Sequence, residues 1–385
     1  MTRVIHTGDT HLGYRQYHSP ARREDFAAAF RSVVEDAIDQ NVDAVVHAGD
    51  LYHDRQPGLP DLLETIDILR PLKNADIPFL AVVGNHESTR QGQWLDLFET
   101  LGLATRLDSN GTEVGETTFY GLDYVPESKR DDLDYDFSPP ETEHAALVSH
   151  GLFTPFPHAN WEIETVLEES NVEFDAVLLG DNHTPDSADL EGTWVTYCGS
   201  TERASASERD PRGYNIVTFD DGASITRRGI DTRDFVFVDL ELKGDEGTGV
   251  VRERVREEDV ADAVVIVTIE GEGGRVTPAE IEEFGEESGA LVTRVNDRRE
   301  IDEDVEVDVS FADPDEAVRE RVRELGLSQA ARDIDETIRE SKTADANVRD
   351  AVKSRVREIV DDAPDERDDA DERDGERATT MGEFQ

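Results

Sequence analysis

The chain has 385 residues, and its 39 Lys and Arg against 90 Asp and Glu give a formal net charge of −51. This balance excludes a broad basic surface for binding a nucleic acid or a membrane. Cys198 is the only cysteine, which excludes a disulfide framework and a cysteine-based zinc site.

The acidic composition is typical of a protein adapted to molar internal salt. Nearly all of the basic residues are arginines. At ~1 M salt the Debye length is only ~3 Å, so repulsion between the carboxylates is screened. Disorder is the alternative explanation for such acidity, but the strong apolar periodicity of the first domain argues against it. The sequence shows no signal peptide and no membrane-spanning apolar run, so we expect a cytoplasmic, nucleoid-associated protein.

Residues 1–230 are predicted to form an α/β domain. Apolar runs alternate there with amphipathic stretches such as Phe26, Phe30, Val33 and Val34, whose spacing is helical. That alternation favours a layered sheet domain. The apolar runs are Val4–Ile5, Ala44–Val46, Phe79–Val83, Ala145–Val148, Ala176–Leu179, Trp194–Tyr197 and Tyr214–Phe219.

Residues 231–311 are predicted to form a second, small α/β domain. Its apolar pattern alternates between strand and helix. The predicted elements are the strands Phe235–Leu242, Ala263–Ile269 and Ala290–Val295 and the helices Val250–Arg256 and Pro278–Ser288.

Residues 312–360 are predicted to form a helical arm. Asp313 is its expected N-cap, and Glu316 would complete a capping box. The apolar stripes beyond it are narrow, so these helices must pack on each other or on a partner. Residues 361–385 form an acidic tail that we predict to be disordered.

Polar side chains follow five of the apolar runs in the first domain. They are Asp9 and His11, Asp50 and His53, Asn85 and His86, His150, and Asp181 and His183. In an open α/β sheet the ligand crevice lies beyond the carboxyl ends of the strands, so we expect these side chains to converge. Carboxylates, one amide and imidazoles without a thiolate suit Mn²⁺, Fe²⁺, Mg²⁺ or Zn²⁺, and oxygen-rich ligation fits Mn²⁺ well.

Three stretches resemble one known family. The sequences "GDTHLGYRQY" at 8–17, "GDLYHDRQP" at 49–57 and "YCGSTER" at 197–203 are similar to those of the double-strand-break repair nucleases of the meiotic-recombination-eleven family, called SbcD in bacteria. That family belongs to the calcineurin-like metallophosphoesterases. The resemblance implies an α/β fold, a layered β-sandwich flanked by helices, with a small α/β capping, DNA-binding domain and a helical C-terminal arm that docks an ATPase.

The resemblance also implies two Mn²⁺ ions per subunit, with Mg²⁺ or another divalent ion as the alternative. The implied ligands of one ion are Asp9, His11, Asp50 and His183, and those of the other are Asp50, Asn85, His150 and Asp181. Asp50 would bridge the two ions. His86 would protonate or position the leaving oxygen, and His53 would orient His86 or the phosphate.

Asp181 departs from the family pattern, which has a histidine ligand at this position. A carboxylate can also bind Mn²⁺ or Mg²⁺, and a third ligand carboxylate shifts selection toward hard, oxygen-preferring ions. We therefore expect Asp181 to be a ligand with altered metal tuning. The alternative is that Asp181 faces solvent and water takes its place.

DNA contacts are expected from local arginines. Counterion release supplies little affinity at molar salt, whereas the guanidinium fork binds phosphate bidentately. The candidates at the rim of the site are Arg15, Arg55, Arg90 and Arg203, each with a surface salt bridge as the alternative role.

The function implied by the resemblance is that of a Mn²⁺-dependent DNA exonuclease (3′–5′) and single-strand endonuclease in double-strand-break repair. Its partners would be DNA and an SMC-like coiled-coil ABC ATPase, with a homodimer inside a heterotetramer. Two alternatives stay open. One is a metallophosphoesterase for small nucleotides or phosphoproteins, and the other is a structural subunit that bridges DNA ends and has a weak or dispensable nuclease.

Overall fold

A computed structural model describes residues 1–89 and 92–299 of the chain. The strands are β1 (Thr2–Thr7), β2 (Ala44–His47), β3 (Phe79–Ala81), β4 (Thr105–Arg106), β5 (Thr112–Val114), β6 (Thr117–Leu122), β7 (His144–His150), β8 (Ala176–Gly180), β9 (Asp186–Leu190), β10 (Thr193–Tyr197), β11 (Gly213–Phe219), β12 (Ala223–Gly229), β13 (Phe235–Leu242), β14 (Val264–Gly271) and β15 (Val292–Asp297). The α-helices are α1 (Pro20–Asp39), α2 (Leu59–Asn74), α3 (Trp94–Thr100), α4 (Ile163–Glu169), α5 (Thr248–Arg256) and α6 (Pro278–Glu287).

Two six-stranded sheets form the first part of the molecule. Their strand orders are β12-β11-β1-β2-β3-β4 and β5-β6-β7-β8-β10-β9. The central strands of each sheet are parallel. Parallel strands that are covered on both faces are apolar along their whole length, which explains why the sequence pattern revealed them. The sheets and helices confirm the predicted layered sandwich.

An apolar core fills the space between the two sheets. Val4 and Val46 from the first sheet and Phe119 and Leu178 from the second are fully buried in it. Each large side chain buried in this way contributes roughly 1.5–3 kcal/mol relative to an exposed one. Helices α1 to α3 cover the outer face of the first sheet, and α4 covers that of the second. This packing brings the carboxyl ends of β1, β2, β3, β7 and β8 toward one edge.

A third sheet contains the parallel strands β13-β14-β15, and α5 and α6 pack on it. All five elements lie where the sequence pattern predicted them, within a few residues at their ends. Val265, Val267 and Ile281 are buried in its core. The division into domains at residue 230 stays a prediction.

Ion pairs connect the third sheet to the first two. Arg233 Nε lies 2.7 Å from Asp25 Oδ2 of α1, and Arg233 Nη1 lies 2.6 Å from Asp262 Oδ2, just before β14. Arg209 donates two hydrogen bonds of 2.7 Å to Asp239 of β13. These contacts tie the third sheet to α1 and to the loop that follows β10.

Several predictions concern residues outside the described ranges. The helical arm at 312–360, the acidic tail at 361–385, residues 300–311 of the capping domain and the candidate DNA contact Arg90 all lie there. In the described ranges, every helix is too short or too polar to span a lipid bilayer.

Candidate metal centre

The structure gathers all seven predicted metal ligands at one edge of the two sheets. Five strand ends supply them, β1, β2 and β3 from the first sheet and β7 and β8 from the second. The predicted ligands are Asp9, His11, Asp50, Asn85, His150, Asp181 and His183. Their donor atoms form two neighbouring groups that share Asp9 and Asp50.

The first group contains Asp9, His11 and His183. One donor atom from each lies within 4.8 Å of the others. The Nε2 atoms of His11 and His183 are only 3.0 Å apart. Metal–nitrogen bonds of about 2 Å bring two ligands of one ion to about this separation. The imidazole lone pairs therefore fit a shared cation.

The second group surrounds the Nε2 atom of His150. This nitrogen lies 3.0 Å from Asn85 Oδ1, 3.6 Å from Asp50 Oδ1 and 3.8 Å from Asp181 Oδ1. The other oxygen of Asp50, Oδ2, lies 4.0 Å from His11 Nε2. The two oxygens of Asp50 thus face different groups, which is the geometry expected of a bridging ligand.

Asp181 lies in the pocket. Its carboxylate is 22% exposed, and its backbone N–H donates to Asp9 Oδ1 at 3.1 Å. Its negative charge raises the pKa of His150. This position supports the predicted ligand role over the solvent-facing alternative, and metal binding by Asp181 stays a prediction.

Hydrogen bonds behind the pocket fix two of the histidine rings. The Nδ1–H of His150 donates to Ala48 O at 2.8 Å, and the Nδ1–H of His183 donates to Glu208 Oε1 at 2.8 Å. Such partners select the tautomer whose Nε2 lone pair faces the metal position. Sequence reasoning missed Glu208, because it lies in a loop 25 residues after His183 and follows no apolar run.

The carboxylates attract positive charge to the pocket. Burial opposes the charged form of His150, but Asp50, Asp181 and Asp9 outweigh it and raise its pKa to about 9. The pKa of His183 also rises to about 9, because the hydrogen bond to Glu208 and the charge of Asp9 outweigh burial. Burial raises the pKa of Asp9 to about 6. Burial and the neighbouring histidines lower the pKa of His11, so the carboxylates favour positive charge at His150 and His183 in particular. This attraction for positive charge fits a site for divalent cations.

The backbone around the pocket is strained and closely packed. Asp9, His11, Asp50 and Asp181 have φ values of 48°, 44°, 55° and 90°, where residues other than glycine cost about 1–3 kcal/mol each. A Cβ on Gly84 would lie 2.1 Å from Asp50 Oδ1. The sequence thus needs glycine at position 84 for Asp50 to occupy its place.

His86 and His53 lie beside the predicted ligands. The ring centroid of His11 lies 5.0 Å from that of His86 and 5.5 Å from that of His53. The backbone N–H of His86 donates to Asp50 Oδ1 at 2.9 Å, and its Nδ1–H donates to His53 O at 2.7 Å. The ring of His53 stacks on Tyr14 with centroids 3.7 Å apart. Their predicted catalytic roles stay predictions.

The candidate arginines differ in their surroundings. Arg15 and Arg55 are exposed. Arg203 is half-buried, and its guanidinium donates to Glu208 O at 3.1 Å and to Thr232 Oγ1 at 3.0 Å. The guanidinium of Arg203 therefore forms hydrogen bonds within the protein. The exposed pair is better placed to meet a phosphate.

Comparisons with known proteins show which family the chain belongs to. The family model described as calcineurin-like phosphoesterase matches residues 2–191. A DNA double-strand break repair protein Mre11 from Haloferax volcanii is 68% identical over 95% of this chain and 83% of its own length. The Mre11 protein of Halobacterium salinarum is 64% identical, with 100% of both chains covered. The chain belongs to the Mre11 family.

An Mre11 protein from a third organism is also similar to this chain. The Mre11 protein of Methanosarcina acetivorans is 45% identical over 93% of this chain and 61% of its own length. The comparisons confirm the predicted family, the calcineurin-like fold and the enzyme class, a metal-dependent phosphodiesterase. Haloferax and Halobacterium are halophilic archaea, which agrees with the predicted adaptation to salt.

Gly84→Ala should weaken Mn²⁺ binding by at least ~10-fold, because the new methyl group displaces Asp50. Isothermal titration calorimetry in molar KCl measures the change. Gly249→Ala is the matched control, since a Cβ at that position of α5 meets nothing within 4 Å. Unchanged Mn²⁺ affinity in a folded Gly84→Ala variant would contradict the assignment of Asp50 to the metal centre.

Proposed function

We propose that this protein is a Mn²⁺-dependent nuclease that hydrolyses DNA phosphodiesters during double-strand-break repair, as both an exonuclease and an endonuclease. The supporting observation is the pair of donor groups that share Asp50 in a buried pocket. The Mre11 relatives carry break repair in their names. The protein would act in the cytoplasm, at the nucleoid.

Two divalent cations would be held by the two groups of donors. Asp9, His11 and His183 would bind one ion and Asn85, His150 and Asp181 the other, with Asp50 between them. Bound there, the cations would polarise the phosphodiester and lower the pKa of the attacking water. Four of the seven side chains offer oxygen, a set that favours Mn²⁺ over softer ions.

The protein's own groups prepare the pocket for this chemistry. Ala48 O and Glu208 hold the Nδ1–H tautomers of His150 and His183, so both Nε2 lone pairs face inward. The Nδ1–H of His86 is held by His53 O, which leaves Nε2 as the nitrogen that exchanges a proton with the leaving oxygen. Because His86 N donates to Asp50, the proton donor and the bridging ligand are held in one geometry.

DNA would be bound by a few arginines and by a partner protein. Arg15 and Arg55 are exposed in the loops that follow His11 and His53. At molar salt the bidentate geometry of each guanidinium contributes more than long-range attraction. We propose that an SMC-like coiled-coil ABC ATPase binds residues 312–360 and supplies much of the remaining contact with DNA.

A homodimer would form through α2 and α3. Leu59 and Leu63 of α2 are 67% and 52% exposed, and Leu97 of α3 and Leu101 directly after it are 38% and 43% exposed. Lys73 Nζ donates to Leu101 O at 3.0 Å, so the ends of the two helices meet. Two copies with a charge of −51 repel each other, and an apolar patch is where self-association is favourable.

Asp50→Ala should abolish cleavage of linear duplex DNA by the purified protein in molar KCl with Mn²⁺, because both donor groups lose a ligand. The exposed Asp39 at the end of α1 provides the control Asp39→Ala, which should cleave like the wild type. A gel assay measures the products. Cleavage that survives in Asp50→Ala would show that the site is misassigned. Activity on cyclic nucleotides but not on DNA would refute the proposed function.

Replacing Leu59 and Leu63 with lysine should convert a dimer into a monomer, since it places charges in the apolar patch. Light scattering coupled to size exclusion in molar KCl gives the mass. Val250→Lys, at an exposed apolar position of α5, is the control and should stay dimeric. If the doubly substituted protein still has the mass of a dimer, the interface lies elsewhere on the molecule.

Removing residues 313–385 should eliminate binding of the ATPase and leave Mn²⁺-dependent cleavage of linear DNA in place. Residues Met1–Ile301 form a compact unit that contains the whole metal centre, so the shortened chain keeps its pocket. Co-purification with the ATPase of the same organism measures binding. A shortened chain that still co-purifies would show that the docking surface lies in residues 1–312.

A further inference from the structure

His183 has no regular secondary structure to hold it. It lies in the loop between β8 and β9, whereas His150 ends a seven-residue strand with ladder bonds to both neighbours. Yet His183 Nε2 is placed 3.0 Å from His11 Nε2. Contacts from elsewhere in the chain must therefore fix this loop residue.

Glu208 holds the ring of His183. Its Oε1 accepts the Nδ1–H of His183 at 2.8 Å. Its Oε2 accepts from Ala204 N at 3.0 Å and from Arg212 Nη1 at 3.2 Å. The Glu208 side chain is only 9% exposed, so water competes little for these bonds. Both oxygens of Glu208 thus have hydrogen-bond donors within the protein.

Arg212 holds the backbone of the same histidine. Its Nη1 donates to His183 O at 3.0 Å and to Ser200 Oγ at 3.2 Å, and its side chain is 2% exposed. The charge of Arg212 also compensates the buried carboxylate of Glu208, four residues earlier. A buried charge without such a partner would destabilise the loop strongly.

We infer that Glu208 is a positioning residue for metal binding, and that together with Arg212 it forms a clamp that aims His183 Nε2 into the pocket. The inference rests on the proposed metal centre. The Glu208 carboxylate fixes the Nδ1–H tautomer and the orientation of the His183 ring. It also makes Nε2 of that ring more basic and therefore a stronger metal ligand. Arg212 prevents the loop from withdrawing, because it binds the carbonyl of the residue whose ring Glu208 binds.

The inference makes a graded prediction. Glu208→Ala removes the acceptor and should weaken Mn²⁺ binding by ~10–100-fold, the usual effect of losing a partner behind a metal ligand. Glu208→Gln keeps one oxygen for the Nδ1–H of His183 but loses the charge, so its Mn²⁺ affinity should fall between those of the wild type and Glu208→Ala.

Glu202→Gln is the matched control. Glu202 lies in the same segment, is 1% exposed, and is paired with Arg22 at 3.2 Å, but it contacts none of the proposed metal ligands. Glu202→Gln and Glu208→Gln should both lower the melting temperature of the metal-free protein. Only the Glu208 variants should lose Mn²⁺ affinity.

The experiment is a Mn²⁺ titration by calorimetry, with the melting temperature of each metal-free full-length variant recorded in molar KCl. Wild-type affinity in Glu208→Ala, or an equal loss of affinity in Glu202→Gln, would overturn the inference, since a merely structural role predicts either result. A wild-type protein that binds no Mn²⁺ would overturn both the clamp and the metal centre. A wild type that binds Mn²⁺ without cleaving DNA would overturn the proposed function and leave the clamp standing.

Discussion

The position of Asp50 between two sets of donors is the constraint on which the rest of the site depends. One carboxylate oxygen faces His150 from the second sheet, and the other faces His11 from the first. Asp50 can contact both histidines only if the two sheets lie at a fixed spacing. The apolar core between the sheets sets that spacing. The left-handed backbone of Asp50 and the missing side chain of Gly84 allow Asp50 to occupy this position. The strained backbone lowers the stability locally, where the sheets converge.

The centre of the fold could be predicted from sequence, and the edges could not. Parallel strands buried on both faces are continuous apolar runs, and polar residues directly after them indicate the pocket. Strand β9, Asp186–Leu190, was missed because it is an edge strand with mostly polar, exposed residues. Strand β6, Thr117–Leu122, lies inside its sheet, but its threonines and Gly121 interrupt the apolar pattern. Glu208 was missed for a different reason. It lies in a loop distant in sequence from His183, and no periodic pattern in the sequence marks such a hydrogen-bond partner.

Arginine has two uses in this acidic protein. Some arginines pair with carboxylates in the interior of the protein, as Arg22 does with Asp25 and Glu202 and Arg212 does with Glu208. Such pairs survive molar salt because they are buried and poorly screened. The exposed Arg15 and Arg55 are the exception among the candidates at the pocket. A protein of this composition can therefore recognise phosphate at a few points without a basic face.

Glu208 and Arg209 are adjacent in the chain but belong to different parts of the molecule. Glu208 binds the ring of His183, while Arg209 binds Asp239 of β13 and lies over the ring of Phe237 at 4.5 Å. The Arg209–Asp239 pair fixes the position of the peptide next to Glu208 relative to the three-stranded sheet. One short segment thus contacts both the three-stranded sheet and the proposed metal ligand His183.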